Sequence, residues 1–233
     1  MSARDVIVVG ASAGGVEALS VLASQLPRDI PAAIFVVLHL SPGSHSALPD
    51  ILGRSGPLPA THPLDNAPIE HGRIFVAPPD QHLLVYRDRV RLSRGPRENR
   101  ARPSVDPLFR TAALAYGPRV TGVILTGTLD DGTAGLQAIK QRGGIAVVQD
   151  PADALFAGMP GSALQNVDVD HQLPLSEIAS LLVRLSLEAA DEAEGEDIAI
   201  LDRHENGTGM SAEERVFAMD PDVLIDDRRP GIP

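Results

Sequence analysis

The chain has 233 residues, and 20 Lys and Arg against 31 Asp and Glu give a formal charge of −11. With 43% hydrophobic and 22% charged residues it can bury a proper core, which excludes disorder throughout. Aromatic residues amount to 3% with no Trp, so stacking on exposed bases is disfavoured, and the lack of Cys removes disulfides, thiol nucleophiles and Cys-based metal sites.

The excess charge is local. Residues 188–233 hold 14 acids and 4 Arg, a net of −10, which leaves 17 acids and 16 bases, a net of −1, in residues 1–187. No basic stretch followed by an apolar run opens the chain, and no apolar run reaches membrane-spanning length, so the expectation is a soluble cytoplasmic protein without membrane insertion.

Residues 5–9 (DVIVV) are apolar and β-branched and stop at Gly10, the pattern of a strand covered on both faces. From Gly14 the pattern turns helical, with Val16, Leu19, Val21, Leu22 and Leu26 near helical spacing and Pro27 ending it. Residues 32–38 (AAIFVVL) read as a second buried strand, ended by His39 and a turn at Ser41, Pro42 and Gly43. Strand, helix, strand is a βαβ unit with a right-handed crossover. Residues 73–77, 83–86 and 90–92 are shorter, and the last two alternate about a turn at 87–89, predicting an antiparallel hairpin towards an edge of the sheet. Then 106–116 reads as a helix, 120–125 as a strand, 133–141 as a helix closed by Gly143, and 145–149 as a strand. Ile178, Leu181, Leu182 and Leu185 mark one face of a last helix. Such alternation predicts a doubly wound α/β domain, its sheet mostly parallel with an inserted antiparallel hairpin, over residues 4–187. Residues 188–233 are expected to be an acidic tail, disordered or loosely docked.

In an open parallel sheet, chemistry collects beyond the carboxyl ends of the strands. Gly10-Ala11-Ser12-Ala13-Gly14-Gly15 follows the first strand, His39 the second, and Thr126-Gly127-Thr128-Leu129-Asp130-Asp131-Gly132 the one at 120–125. A Ser, a His and an Asp therefore stand at one edge. Residues 10–14 satisfy G-x-S-x-G, a spacing that puts a Ser on a tight strand-to-helix turn beside the amides of a helix start. A Ser hydroxyl needs a His to take its proton, and the His needs a carboxylate to fix its tautomer. On pattern alone, a Gly-rich turn is more often a phosphate or dinucleotide cradle, a lone His at a strand end is usually structural, and Asp130-Asp131 before a helix reads equally as a cap. A dinucleotide fingerprint, however, wants Gly where Ser12 stands and an acid where Leu38 and His39 stand. Residues 10–14 are also similar to the short-chain dehydrogenases, but the Tyr and the Lys four residues on which that family uses are absent: Tyr86 and Tyr116 are followed at that distance by Val90 and Val120.

Six ordered blocks carry a resemblance to a known family. They are GASAGG around Ser12, the strand ending in His39 with SPG after it, VAPPDQH at 76–82, RPSVDPLF at 102–109, GVILTGTLDDGTAGL at 122–136 and QDPADALFAGMPGSAL at 149–164. Together they resemble the CheB-type protein-glutamate methylesterases of bacterial chemotaxis. The resemblance implies Ser12 as nucleophile, His39 as general base, Asp131 as the carboxylate orienting it, and an oxyanion held by the backbone N–H groups of Thr128 and Ala13. It implies hydrolysis of glutamate γ-methyl esters on methyl-accepting chemotaxis receptors, with glutamine deamidation in some members, a partner methyltransferase, and no cofactor. Two positions depart from the family pattern: Thr128 replaces a frequent Met, and Ala13 a frequent Ser or Thr. The motif also starts within the first dozen residues, so the receiver domain of the usual regulatory layout is not expected ahead of it. The alternatives are a catalytically retired receptor- or partner-binding module of the same family and, third, a short-chain dehydrogenase-like nucleotide binder.

Between residues 87 and 110 stand eight Arg (87, 89, 91, 94, 97, 100, 102 and 110) against Asp88, Glu98 and Asp106, a net of +5. This strip is either a solvated hairpin and loop or a guide for acidic receptor helices, in which case Arg97 and Arg100 are the steering residues. The acidic tail is expected to fold back on the strip and compete with substrate. Nucleic acid is a poor partner for a chain of net −11. His45, His62, His71, His82, His171 and His204 show no ligand spacing, so no metal is expected.

Overall fold

In the computed structural model, residues 3–39 and 46–190 are described. The expected turn at 41–43 and nearly all of the acidic tail, with its docking on the arginine strip, lie outside the described residues. The chain runs β1 (Val6–Ala11), α1 (Gly15–Gln25), β2 (Ala33–Leu38), α2 (Leu48–Ser55), β3 (Ala60–Thr61), β4 (Arg73–Val76), β5 (His82–Tyr86) and β6 (Arg89–Ser93). It continues through α3 (Val105–Tyr116), a 3-10 turn (Gly117–Arg119), β7 (Val120–Ile124), α4 (Thr133–Gln141), β8 (Ile145–Gln149), α5 (Gly158–Asn166), β9 (His171–Leu173) and α6 (Leu175–Leu187).

The apolar run at the start becomes β1, buried along its whole length because both faces are covered. Ile7 and Val9 enter one apolar layer with α1, α2 and α6, while Val6 and Val8 enter the other with α3, α4 and α5. Seven strands form one sheet in the order β3-β4-β2-β1-β7-β8-β9, every pairing parallel. β1 is central. From it the chain winds outward through β2, then returns to β7 on the other side and winds away through β8 and β9. The connections therefore diverge between β1 and β7, which opens a crevice at their carboxyl ends.

The hairpin is antiparallel as the alternation predicts, Val85 opposite Val90, but it does not extend the main sheet. The edge beside β4 belongs to β3. β5 and β6 form a separate two-stranded sheet, and Leu83, Val85 and Val90 pack into the layer of α3. Thr111 Oγ1 accepts the Val85 N–H at 3.1 Å, and Tyr116 Oη accepts that of Asp88 at 2.9 Å, so helix side chains replace a neighbouring strand. At the opposite end of β1, Arg119 grips Asp5 through Nε at 2.9 Å and Nη2 at 2.7 Å, tying the start of β1 to that of β7.

Four elements escape the sequence pattern: α2, β3, α5 and β9. Each is short, and α5 (GMPGSALQN) carries two Gly and a Pro, so neither periodicity nor propensity marks it. Gly10 has no room for a side chain, because a Cβ there would lie 2.4 Å from Val105 Cγ1 at the start of α3. We expect Gly10→Ala to destabilise the fold by about 1–3 kcal/mol. Urea unfolding of the full chain checks this.

Candidate active site

Ser12 is the first residue beyond β1 and lies in the crevice between β1 and β7. Its N–H donates to Thr126 O at 3.0 Å and its carbonyl accepts from Gly15 N at 2.9 Å, closing a tight turn into α1. The turn needs Gly14 at φ 74°, in the left-handed region, where a Cβ would also press on Leu155. From the β7 side, Gly127 packs directly on the Ser: a Cβ there would come within 3.0 Å of Ser12 Cβ and 2.2 Å of Met159 Sδ.

His39, just after β2, turns its ring across β1. Nδ1 stands 3.0 Å from Ser12 Oγ, and Nε2 stands 2.5 Å from Asp131 Oδ2. An ionised carboxylate only accepts, so Nε2 carries the proton and donates to Asp131, leaving the Nδ1 lone pair for the Ser12 hydroxyl. The fold thus brings the three predicted residues from three strand ends into one hydrogen-bonded chain.

Asp131 is 2% exposed and richly bonded. Oδ2 also accepts the Val105 N–H at 2.8 Å, and Oδ1 accepts from Asn99 Nδ2 at 2.6 Å, Ser104 Oγ at 2.8 Å and the Asp106 N–H at 3.2 Å. Val105 and Asp106 are the first two residues of α3, so Asp131 does for that helix what a capping side chain ordinarily does. Burial works against its charge, but the hydrogen bonds from His39, Val105 and Ser104 outweigh burial and hold the carboxyl below its usual range. Asp106 returns the favour: its Oδ1 accepts the N–H of Gly135, the third residue of α4, at 2.7 Å. Burial first, and the Asp131 charge second, push the Asp106 carboxyl up to about 7.

The strand ends are locked by Thr126 and Gln149. Thr126 Oγ1 donates to Ala13 O at 3.0 Å and accepts the Phe156 N–H at 2.8 Å, while Gln149 Oε1 accepts the Thr126 N–H at 2.9 Å. Three loops are thereby fixed around Ser12. Within them the backbone N–H groups of Ala13 and Thr128 donate no hydrogen bond among the described residues. Leu129, Leu155 and Phe156 expose large apolar side chains on the same loops.

The arginine strip divides. Arg91 pairs with Asp65, Arg102 with Asp80 and Arg110 with Glu98, so these three serve structure. Arg97 and Arg100 are exposed and make no ion pair among the described residues, and Arg100 adjoins Asn99, which touches Asp131. His82 is fully buried: its Nε2 donates to Pro96 O at 2.9 Å and its Nδ1 accepts the Ser104 N–H at 3.3 Å. Burial lowers its basicity and keeps the ring neutral, which suits a tether between β5 and the segment 96–104. Among the described residues no three His, Asp or Glu are placed to hold a metal ion, and His45 and His204 lie outside them.

Asn99, Ser104, Asp106, Thr126 and Gln149 are supporting residues that the sequence reading did not single out. All but Asn99 fall inside the motif blocks, and only their company there hints at a role. What ties Asn99 in is its Nδ2, which donates to Asp131 and Asp106 from a loop residue at a left-handed φ of 49°, a property of the folded loop.

A parallel doubly wound sheet with a Ser–His–Asp chain at its switch point is an α/β fold that carries the side-chain order serine hydrolases use. The family described as CheB methylesterase matches residues 7–182, and this chain belongs to it. It is similar to a protein named protein-glutamate methylesterase/protein-glutamine glutaminase 2 of Methanosarcina mazei, 38% identical over 192 residues, which cover 79% of this chain and 52% of that one. It is also similar to one named putative protein-glutamate methylesterase/protein-glutamine glutaminase of Leptospira interrogans, 41% identical over 182 residues, covering 78% of this chain and 94% of that one. The chain thus spans about half the length of the first relative and nearly all of the second. Among solved structures, the CheB methylesterase catalytic domain of Thermotoga maritima matches with a TM-score of 0.75 and 32% identity, over 79% of this chain and all of that one. No helix among the described residues is long and apolar enough to cross a membrane.

Removing the Asp131 carboxylate strips α3 of its cap as well as His39 of its partner. We expect Asp131→Ala to cost about 2–4 kcal/mol of stability, against about 0.5 kcal/mol or less for Ser12→Ala. Since the Asp131 carboxyl is held below its ordinary 3.8, its contribution is complete above that pH and is lost as the pH falls through the lower folded value. Urea unfolding at pH 7 and pH 3 should show the gap between wild type and Asp131→Ala narrowing in acid.

Proposed function

We propose that this chain is a protein-glutamate methylesterase, with residues 4–187 as its catalytic unit and Ser12, His39 and Asp131 as its catalytic triad. The observation that carries this reading is the hydrogen-bonded chain from Ser12 through His39 to Asp131, beside two uncommitted amides, in a member of the CheB methylesterase family. Ser12 Oγ attacks the γ-carbonyl carbon of a glutamate methyl ester while His39 Nδ1 takes its proton. The tetrahedral oxyanion accepts hydrogen bonds from the N–H groups of Ala13 and Thr128, each such donor contributing about 3–4 kcal/mol to lowering the barrier. The intermediate collapses, the imidazolium protonates the departing methoxide, and methanol leaves an acyl-enzyme on Ser12. Water then gives a proton to His39 and attacks the same carbon, releasing the glutamate carboxylate and restoring Ser12. Asp131 stays ionised throughout and stabilises the imidazolium. With glutamine in place of the ester, ammonia leaves by the same path, in keeping with the second activity in the relatives' names.

The substrate class is a helix of a methyl-accepting chemotaxis receptor or a similarly methylated signalling protein in the cytoplasm, with a methyltransferase acting in opposition. Leu129, Leu155 and Phe156 offer the apolar rim against which such a helix lies, and Arg97 and Arg100 attract its acidic residues.

Methanol release from methylated receptor tests the reading. We expect Ser12→Ala to lower it by about 10³-fold or more. If wild type and Ser12→Ala release equally little, the chain is a binding module instead. Reversing Arg97 and Arg100 to Glu is expected to lower kcat/KM on the receptor severalfold at low salt while sparing a small methyl ester. Equal loss on both substrates removes the steering role.

A further inference from the structure

Behind the triad lies a second carboxylate, Asp106, that takes no part in the proton transfers of the ester hydrolysis. One amide group, Asn99 Nδ2, donates to Asp131 Oδ1 at 2.6 Å and to Asp106 Oδ2 at 2.7 Å, one hydrogen to each. Asp106 Oδ1 meanwhile accepts the Gly135 N–H. Both donors lack a lone pair, so both Asp106 oxygens are placed as acceptors, which is the arrangement of an ionised carboxylate. Asn99 itself is held in its left-handed conformation by a strap: Glu98 receives Arg110 Nη2 at 2.7 Å on each oxygen, and Glu98 O accepts the Ala101 N–H at 2.8 Å.

We propose that Asp106 and Asn99 are positioning residues for the Ser12–His39–Asp131 chain, and that the charge on Asp106 sets how firmly Asn99 holds Asp131. The inference rests on the esterase reading and adds a regulation of that same site. When Asp106 carries a proton, one of its two acceptor positions is lost, the Asn99 amide loosens, and Asp131 keeps its other partners with one fewer anchor. The groups surrounding this pair are Asp131 and, through it, His39; Arg110 and Glu98 at the strap; and His82 on β5, whose basicity burial lowers. Against them, burial and the Asp131 charge place the ionisation of Asp106 at about 7, so the grip tightens as the pH rises through neutrality.

Asp106→Asn offers one oxygen where two acceptors are needed and so mimics the loosened form at every pH. Asn99→Ala removes the bridge from an exposed turn and leaves both carboxylates in place. The readouts are the labelling rate of Ser12 by a fluorophosphonate probe and kcat and KM on methylated receptor, each from pH 5.5 to 8.5 with the full chain. Expected is a loss of about 10-fold in labelling rate and kcat for either variant at pH 8.5, with KM nearly unchanged. At pH 5.5, where wild-type Asp106 is itself protonated, the loss is expected to shrink to about 2-fold, and the double variant to be no worse than Asn99→Ala alone. A merely structural role gives a ratio that does not move with pH. A constant ratio, or losses that multiply in the double variant, overturns the proposal. Should Asp106→Asn not fold, the pH dependence of the Asn99→Ala ratio decides alone. Because the probe labels Ser12 without any receptor, labelling with no methanol release defeats the choice of substrate and leaves the positioning role standing or falling on the labelling profile.

Discussion

The carboxylate of Asp131 accepts hydrogen bonds from His39, Asn99, Ser104 and the first two amides of α3, and much of the crevice takes its geometry from that convergence. A buried charge is tolerated only where donors replace the water it has lost. Here the donors come from a helix start, so the group that orients the His is also the group that completes a helix. Stability and site geometry are therefore not separable at this residue. Asp106 works in the reverse direction, lending its carboxylate to the amino end of α4. Each of these two packed helices takes its capping carboxylate from the amino-terminal end of the other, Asp131 beside α4 and Asp106 within α3, and not from its own preceding side chain.

How much of this is legible in the sequence depends on range. The buried strands announce themselves through unbroken β-branched runs, and residues 133–141 and 145–149 match α4 and β8 as they stand. The hairpin's pairing is legible from its alternation, but its place is not, because alternation records one buried face and says nothing of what covers it; here that is α3. The Ser, His and Asp are visible because each follows a buried strand of a parallel sheet. Asn99 is not visible. It sits in a loop, 32 residues from Asp131, and acts through a hydrogen bond that exists only once the strap of residues 98–101 is folded.

The arginine strip shows how a charge count misleads. Three of its members are held by Asp65, Asp80 and Glu98, and Arg110 in particular steadies the turn that carries Asn99. A net positive stretch thus separates into residues that shape the site from behind and residues that face solvent beside it. Sequence alone gives them equal standing; burial and partners do not.

The central position of β1 bears on how the molecule comes into being. β1 pairs with β7 from Val6↔Val120 to Gly10↔Ile124, so this strand finds one of its two neighbours only after more than a hundred further residues. Contacts of such separation must close long loops before they return any energy, which makes them slow to form. On a ribosome, Ser12 would leave the exit tunnel early and wait for β7 and Asp131 to follow. The crevice around Ser12 is thereby unable to assemble until β7 and the loop that carries Asp131 have been made.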